Sequence, residues 1–226
     1  MVNDFVRNDS LLMAIDNAPR YQPIPAKLFK ENYRKEYLDR RNKRLLRPDA
    51  GRDKLINLSG KTVLDIGCEI GYFGWNNAGK LKQYAGIDSD PTCIRAARKI
   101  TKELGYTDLQ FENIDLVEFI EGTTSHYDTC LFFSIYHHLL YQIGWKEARE
   151  VMNKISEVCD ELYFDMGQKD EPTNSARHKW HNLLPDKPAK DFITEEVLHN
   201  SSFNHAFILG ETKVGNSKRL LFRFNK

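Results

Sequence analysis

The run Val63-Leu64-Asp65-Ile66-Gly67-Cys68-Glu69-Ile70-Gly71-Tyr72-Phe73-Gly74 constrains this chain more than any other. Val63, Leu64 and Ile66 are the near-continuous apolar run of a central parallel strand. Gly67 and Gly71 let the backbone turn sharply against a ligand, where a Cβ would clash. A dinucleotide-binding turn would space its glycines G-x-G-x-x-G to admit a pyrophosphate. Here Glu69 stands where the second glycine belongs, and an acid, Asp65, ends the strand. The ligand expected on this turn is therefore cationic. The plain alternative is a glycine-bearing strand–helix turn with no ligand, which any α/β protein can contain.

Residues 82–88 read as a second short strand ending in Asp88, followed by Ser89, then Asp90 as helix N-cap and Pro91 at the first helical position. Asp88 falls about twenty residues after the glycine turn, the spacing at which a strand-end acid grips ribose hydroxyls. A third segment, residues 108–116, alternates like a strand and closes on Asp115. Three acids at three successive strand ends form one constellation. The D-x-G-x-x-x-G pattern of Asp65, Gly67 and Gly71 resembles motif I of the class I S-adenosylmethionine-dependent methyltransferases. That resemblance implies that the turn, Cys68 included, curls around the methionine part of S-adenosyl-L-methionine, whose ammonium or sulfonium suits a carboxylate. It also implies Asp88 and Ser89 at the ribose, Asp115 at the adenine amino group and Ser134 as a further cofactor contact.

With 226 residues and 41% hydrophobic content, the chain can bury one good core and has little left for a second. Lys plus Arg number 33 against 32 Asp plus Glu, so no global field draws it to nucleic acid or to a membrane surface. Cys68, Cys93, Cys130 and Cys159 lie far apart with no C-x-x-C pair, which fits buried free thiols in a reducing compartment. No apolar run approaches the ~20 residues of a membrane span, and the polar start is no signal peptide, so a soluble, cytoplasmic protein is expected.

Residues 1–50 read as an N-terminal flap. Pro23 and Pro25 hold the 20–25 stretch extended, and residues 26–47 are helix-like and strongly basic. Residues 51–226 read as the methyltransferase domain. Beyond the first three strands, strands are expected at 127–135, 161–166, 204–210 and 218–224, with helices at 116–122, 145–158 and 194–200. The last two strands form a hairpin with Gly215-Asn216 near its tip. The expected fold is a doubly wound, Rossmann-like, mostly parallel seven-stranded sheet closed by a C-terminal antiparallel hairpin.

Ligands of such sheets bind at the carboxyl ends of the strands, which brings forward Ser134-Ile135-Tyr136-His137-His138 after strand four. Either His137 or His138 can serve as general base, because imidazole titrates near working pH; the bland alternative has one of them packing beneath the next helix. A metal site drawing on Asp165, or on His178 and His181, is the rival use of histidine, but no carboxylate partners stand at ligand spacing. The stretch from strand four to Lys169-Asp170-Glu171-Pro172 is similar in order and spacing to the methyltransferase part of the bacterial O-antigen chain-terminating methyltransferase–kinases, and so are Tyr21-Gln22 and Asn42-Lys43-Arg44-Leu45. This similarity implies O-methylation of a glycan or glycan phosphate. It also singles out Arg44 among the basic-helix arginines, to meet a phosphate or the methionine carboxylate, and Tyr21 to close over the cofactor. Two other functions remain open: an RNA methyltransferase holding phosphates with its basic flap, which the near-neutral charge disfavours, and a non-catalytic module that keeps the cofactor fold.

Overall fold

The computed structural model describes residues 51–171, 179–214 and 217–226. The flap, Tyr21 and Arg44 lie outside these residues, as do His178 and the Gly215-Asn216 tip. A seven-stranded sheet runs in the order β3-β2-β1-β4-β5-β7-β6. Its strands are β1 (Thr62–Ile66), β2 (Gln83–Asp88), β3 (Leu109–Asn113), β4 (Tyr127–Phe133), β5 (Cys159–Asp165), β6 (His205–Val214) and β7 (Ser217–Asn225). The first five pair in parallel, and β7 then joins β5 and β6 antiparallel, as the doubly wound expectation had it. The helices are α1 (Tyr72–Asn77), α2 (Pro91–Leu104), α3 (Leu116–Gly122), α4 (Tyr136–Ile143), α5 (Trp145–Val158) and α6 (Ala189–His199).

Side chains alternate across each strand, and both faces are covered, so the central strands are apolar throughout. Leu64 and Ile66 of β1 join Cys130 and Phe132 of β4 in a core roofed by α4, α5 and α6. Val63 and Leu131 point to the opposite face, where they meet Phe73, Trp75 and Ile94 of α1 and α2. All four cysteines are free and buried, as expected. The α2 helix starts as its sequence dictates: the Asp90 carboxylate accepts from the Thr92 and Cys93 amides, and Pro91 stands at the first position.

Two differences bear on the site. The expected fourth strand ran to Ile135, but β4 stops at Phe133, Ser134 turns at φ +60°, and α4 begins at Tyr136. An unbroken apolar and aromatic run hides that change of period. The third strand likewise ends at Asn113, two residues before Asp115, which instead caps α3.

Candidate active site

β1 and β4 are neighbours whose chains leave in opposite directions, to β2 on one side and β5 on the other, which makes a crevice at their carboxyl ends. The glycine turn lines one wall. Gly67 (φ +68°) and Gly71 (φ +87°) both lie in the left-handed region. A Cβ on Gly67 would come within 2.0 Å of Ile135 Cδ1, and one on Gly71 within 2.4 Å of Phe111. The glycines are therefore required by the protein's own side chains as well as by a ligand. Glu69 takes a positive φ of 51° despite its side chain, and its amide donates to Asp88 Oδ2 at 2.9 Å. The Asp90 amide donates to Asp88 Oδ1 at 2.8 Å. Burial pushes the Asp88 carboxyl above its usual range, and these two amides partly oppose that shift. The strand-end acid is thus held between the two loops, half-buried.

Asp65, the acid near the end of β1, lies beneath the turn. It is 2% exposed, on the sheet face of Val63, and the Tyr84 hydroxyl donates to its Oδ2. Burial and the charge of Asp65 hold the Tyr84 phenol well above its usual range, so the phenol stays a donor. Asp65 therefore braces the turn from beneath. Cys68 is also below it: a Cβ on Gly86 of β2 would lie 2.9 Å from the Cys68 Sγ, and burial drives that thiol far above its usual range. Any ligand contact by Cys68 falls to its main chain. Asp115 is exposed, and its Oδ1 accepts from the Val117 amide at 2.8 Å. Ser89 is exposed at the mouth of the β2 loop.

The far wall holds a charge network that no local sequence signal announced. The Ser134 hydroxyl lies 3.0 Å from Arg52 Nη2 and 2.9 Å from Arg219 Nη1, both donating to it, and 3.1 Å from Asp165 Oδ1, to which it donates. Arg52 Nε reaches Asp165 Oδ2 at 2.6 Å, with its guanidinium 4.9 Å from the centre of the Phe133 ring. Arg219 forks onto both oxygens of Glu171 at 2.7 and 3.1 Å, and Glu171 also accepts from the Gln168 amide. A hydroxyl has two lone pairs and one proton, so Ser134 Oγ is saturated. Any hold of Ser134 on a cofactor is through its main chain.

The two histidines separate. His137 is 2% exposed, its ring centre 4.4 Å from that of Trp180, and its Nδ1 accepts from the Gly167 amide at 2.9 Å. Because an amide can only donate, the neutral ring carries its proton on Nε2 and has no lone pair left for a base. His138, one residue on, is exposed in the first turn of α4. Of the two histidines, His138 is the one with an exposed side chain. His181 donates from Nε2 to the Lys169 carbonyl at 2.6 Å.

A rigid acid at the end of β2, a tight turn beside it and a carboxylate oxygen of Asp53 buried without a hydrogen-bond partner among the described residues fit a nucleoside bearing a positive charge. Residues 57–163 match the family model described as a methyltransferase domain, and this match together with the fold makes the chain similar to the class I, S-adenosylmethionine-dependent methyltransferases. It is 25% identical over 139 residues to the Escherichia coli O-antigen chain terminator bifunctional methyltransferase/kinase WbdD, covering 60% of this chain and 19% of that protein. A solved WbdD structure superposes with a TM-score of 0.69 at 20% identity, over 95% of this chain and 46% of the other. The Bradyrhizobium japonicum N-methyltransferase NodS, crystallised with S-adenosyl-L-homocysteine, gives 0.56 at 17% identity over 97% and 98% of the two chains. A shorter match, 37% over 70 residues, links 31% of this chain to 19% of the E. coli 23S rRNA (uracil(747)-C(5))-methyltransferase RlmC. The matched segments thus span about a fifth of the length of these curated relatives.

Proposed function

We propose that this chain methylates an oxygen of a saccharide, a sugar hydroxyl or a terminal phosphate, in the cytoplasm. The observation that carries this reading is the match to the O-antigen chain terminator, which runs over 60% of the chain. When bound, S-adenosylmethionine supplies a methyl group on a positively charged sulfur. Asp88 accepts the ribose hydroxyls, the 67–71 turn flanks the amino-acid portion, and Ser89 and Asp115 border the nucleoside. Tyr21 and Arg44, in the 1–50 segment, are the further cofactor-binding residues of this reading. His138 takes the proton of a neutral acceptor hydroxyl as the oxygen is methylated, while alignment of that oxygen supplies most of the rate. Among the described residues no helix is long and apolar enough to cross a membrane.

The RlmC match supports a second reading, an RNA acceptor, over a shorter segment. One assay separates the two. Methyl-labelled S-adenosylmethionine is incubated with the protein and, in parallel, with oligosaccharides of differing sugar composition, the same oligosaccharides bearing terminal phosphates, and 23S rRNA fragments. Label is expected in a saccharide product alone. Label in RNA alone would overturn the glycan reading.

A further inference from the structure

A cationic cofactor needs a carboxylate, and the acid read from the sequence for that task, Asp65, is 2% exposed beneath the turn, where it accepts from Tyr84. Asp53 is better situated. It lies in the short 3-10 turn Arg52–Lys54, ahead of β1. Its Oδ2 accepts from the hydroxyl of Tyr72 at 3.0 Å, and Tyr72 is the first residue of α1, directly after Gly71. Its chain neighbour Arg52 reaches Ser134 and Asp165 at the carboxyl ends of β4 and β5. Asp53 is therefore bracketed by the glycine turn on one side and the segment after β4 on the other, the two walls of the crevice. The Arg52 guanidinium is committed to Asp165 and Ser134, so it is not spent on Asp53. The Asp53 Oδ1 is buried and has no hydrogen-bond partner among the described residues. An acceptor buried without a donor is costly, and it persists where a ligand supplies the donor.

We infer that Asp53, oriented by Tyr72, binds the α-ammonium of the amino-acid portion of the cofactor. This rests on the S-adenosylmethionine reading and adds to it the group that distinguishes the amino-acid end from the nucleoside end. Tyr72 holds one carboxylate oxygen and turns the other toward the ammonium, so the contact is charge-assisted and directional.

The test compares two ligands by calorimetry: S-adenosyl-L-homocysteine, and 5′-methylthioadenosine, which keeps the nucleoside and the thioether but lacks the amino acid. Asp53→Asn should weaken S-adenosylhomocysteine roughly ten- to a hundredfold, the range of one charge-assisted hydrogen bond, and leave methylthioadenosine unchanged. The ligand-free Asn variant should melt no lower than wild type, because no partner within the protein is lost from Oδ1. Equal weakening of both ligands, or of neither, would overturn the assignment. So would a lowered melting temperature of both Asp53→Asn and Asp53→Ala without ligand, which would make Asp53 a structural prop. Wild type that binds neither ligand would take down the cofactor reading itself, a result readily told apart from an indifferent Asp53.

Discussion

Replacing His138 by Ala is expected to lower methyl transfer to a saccharide hydroxyl by about 10²–10⁴-fold, the usual contribution of a positioned general base. Affinity for S-adenosylhomocysteine should stay nearly constant, because the loss falls on the transition state. The variant should also lose the acid limb of the wild-type pH–rate profile, where imidazole protonation removes the base. His137→Ala has a different signature. It strips the Gly167 amide of its acceptor inside the core and opens a gap beneath Trp180. An unsatisfied buried donor costs about 1–3 kcal/mol, so this variant should melt lower. Wild-type turnover in His138→Ala would refute the base assignment. A phosphate acceptor, already anionic, would show as a profile lacking the imidazole limb in wild type too.

Arg219→Met should destabilise the fold by about 3–5 kcal/mol in denaturant titrations, as removal of one partner of a buried ion pair does. Arg219 and Glu171 have side chains only 7% and 4% exposed, so the abandoned carboxylate cannot be rescued by water. Ser134 would lose a donor as well, and with it part of the constraint that holds its left-handed backbone and delivers Ile135 against Gly67. Arg219→Lys should fall between, because an ammonium cannot fork onto Glu171 while reaching Ser134. Adding Glu171→Leu to Arg219→Met should recover much of the loss by removing the orphaned charge. The exposed Lys146–Glu150 pair is the control, and breaking it should leave stability unchanged. A cost below 1 kcal/mol for Arg219→Met would mean the network is ornamental.

What was legible in the chain was local. The glycine turn, the Asp90-Pro91 helix start and the acid closing β2 are each written within a few consecutive residues, and each stands as expected. The mostly parallel sheet with its antiparallel end followed from the alternation of elements and the terminal hairpin. What escaped is long-range or hidden by uniform composition. Arg52 meets Asp165 across 113 residues of sequence and Arg219 meets Ser134 across 85, and no spacing rule connects such pairs. Arg52 and Asp53 sit in a lead-in segment whose composition is that of an ordinary loop. Adjacent histidines look equivalent in sequence, but successive helix positions point about 100° apart, so one ring is buried under Trp180 and its neighbour is not. Asp65 illustrates the converse. Its residue type and position suggested a ligand-binding acid, and strand alternation also sets its side chain on the Tyr84 face, where a buried phenol donates to it, a contact no local spacing announced.

The central claim, a cofactor held by the acid at the end of β2, is tested most directly by titrating S-adenosyl-L-homocysteine into wild type and Asp88→Ala over a range of pH. Wild type should bind in the micromolar range, and the Ala variant about ten- to a hundredfold more weakly, the worth of a charge-assisted hydrogen bond. Ribose hydroxyls donate to the ionised carboxylate. Burial raises the Asp88 pKa in the free protein, so wild-type affinity should be full above that raised value and decline as pH falls through it. The decline should begin at a higher pH than an ordinary carboxylate near 3.9 would give, and it should be absent from Asp88→Ala. No binding to wild type, or equal affinity and equal pH dependence in the two proteins, would contradict the account.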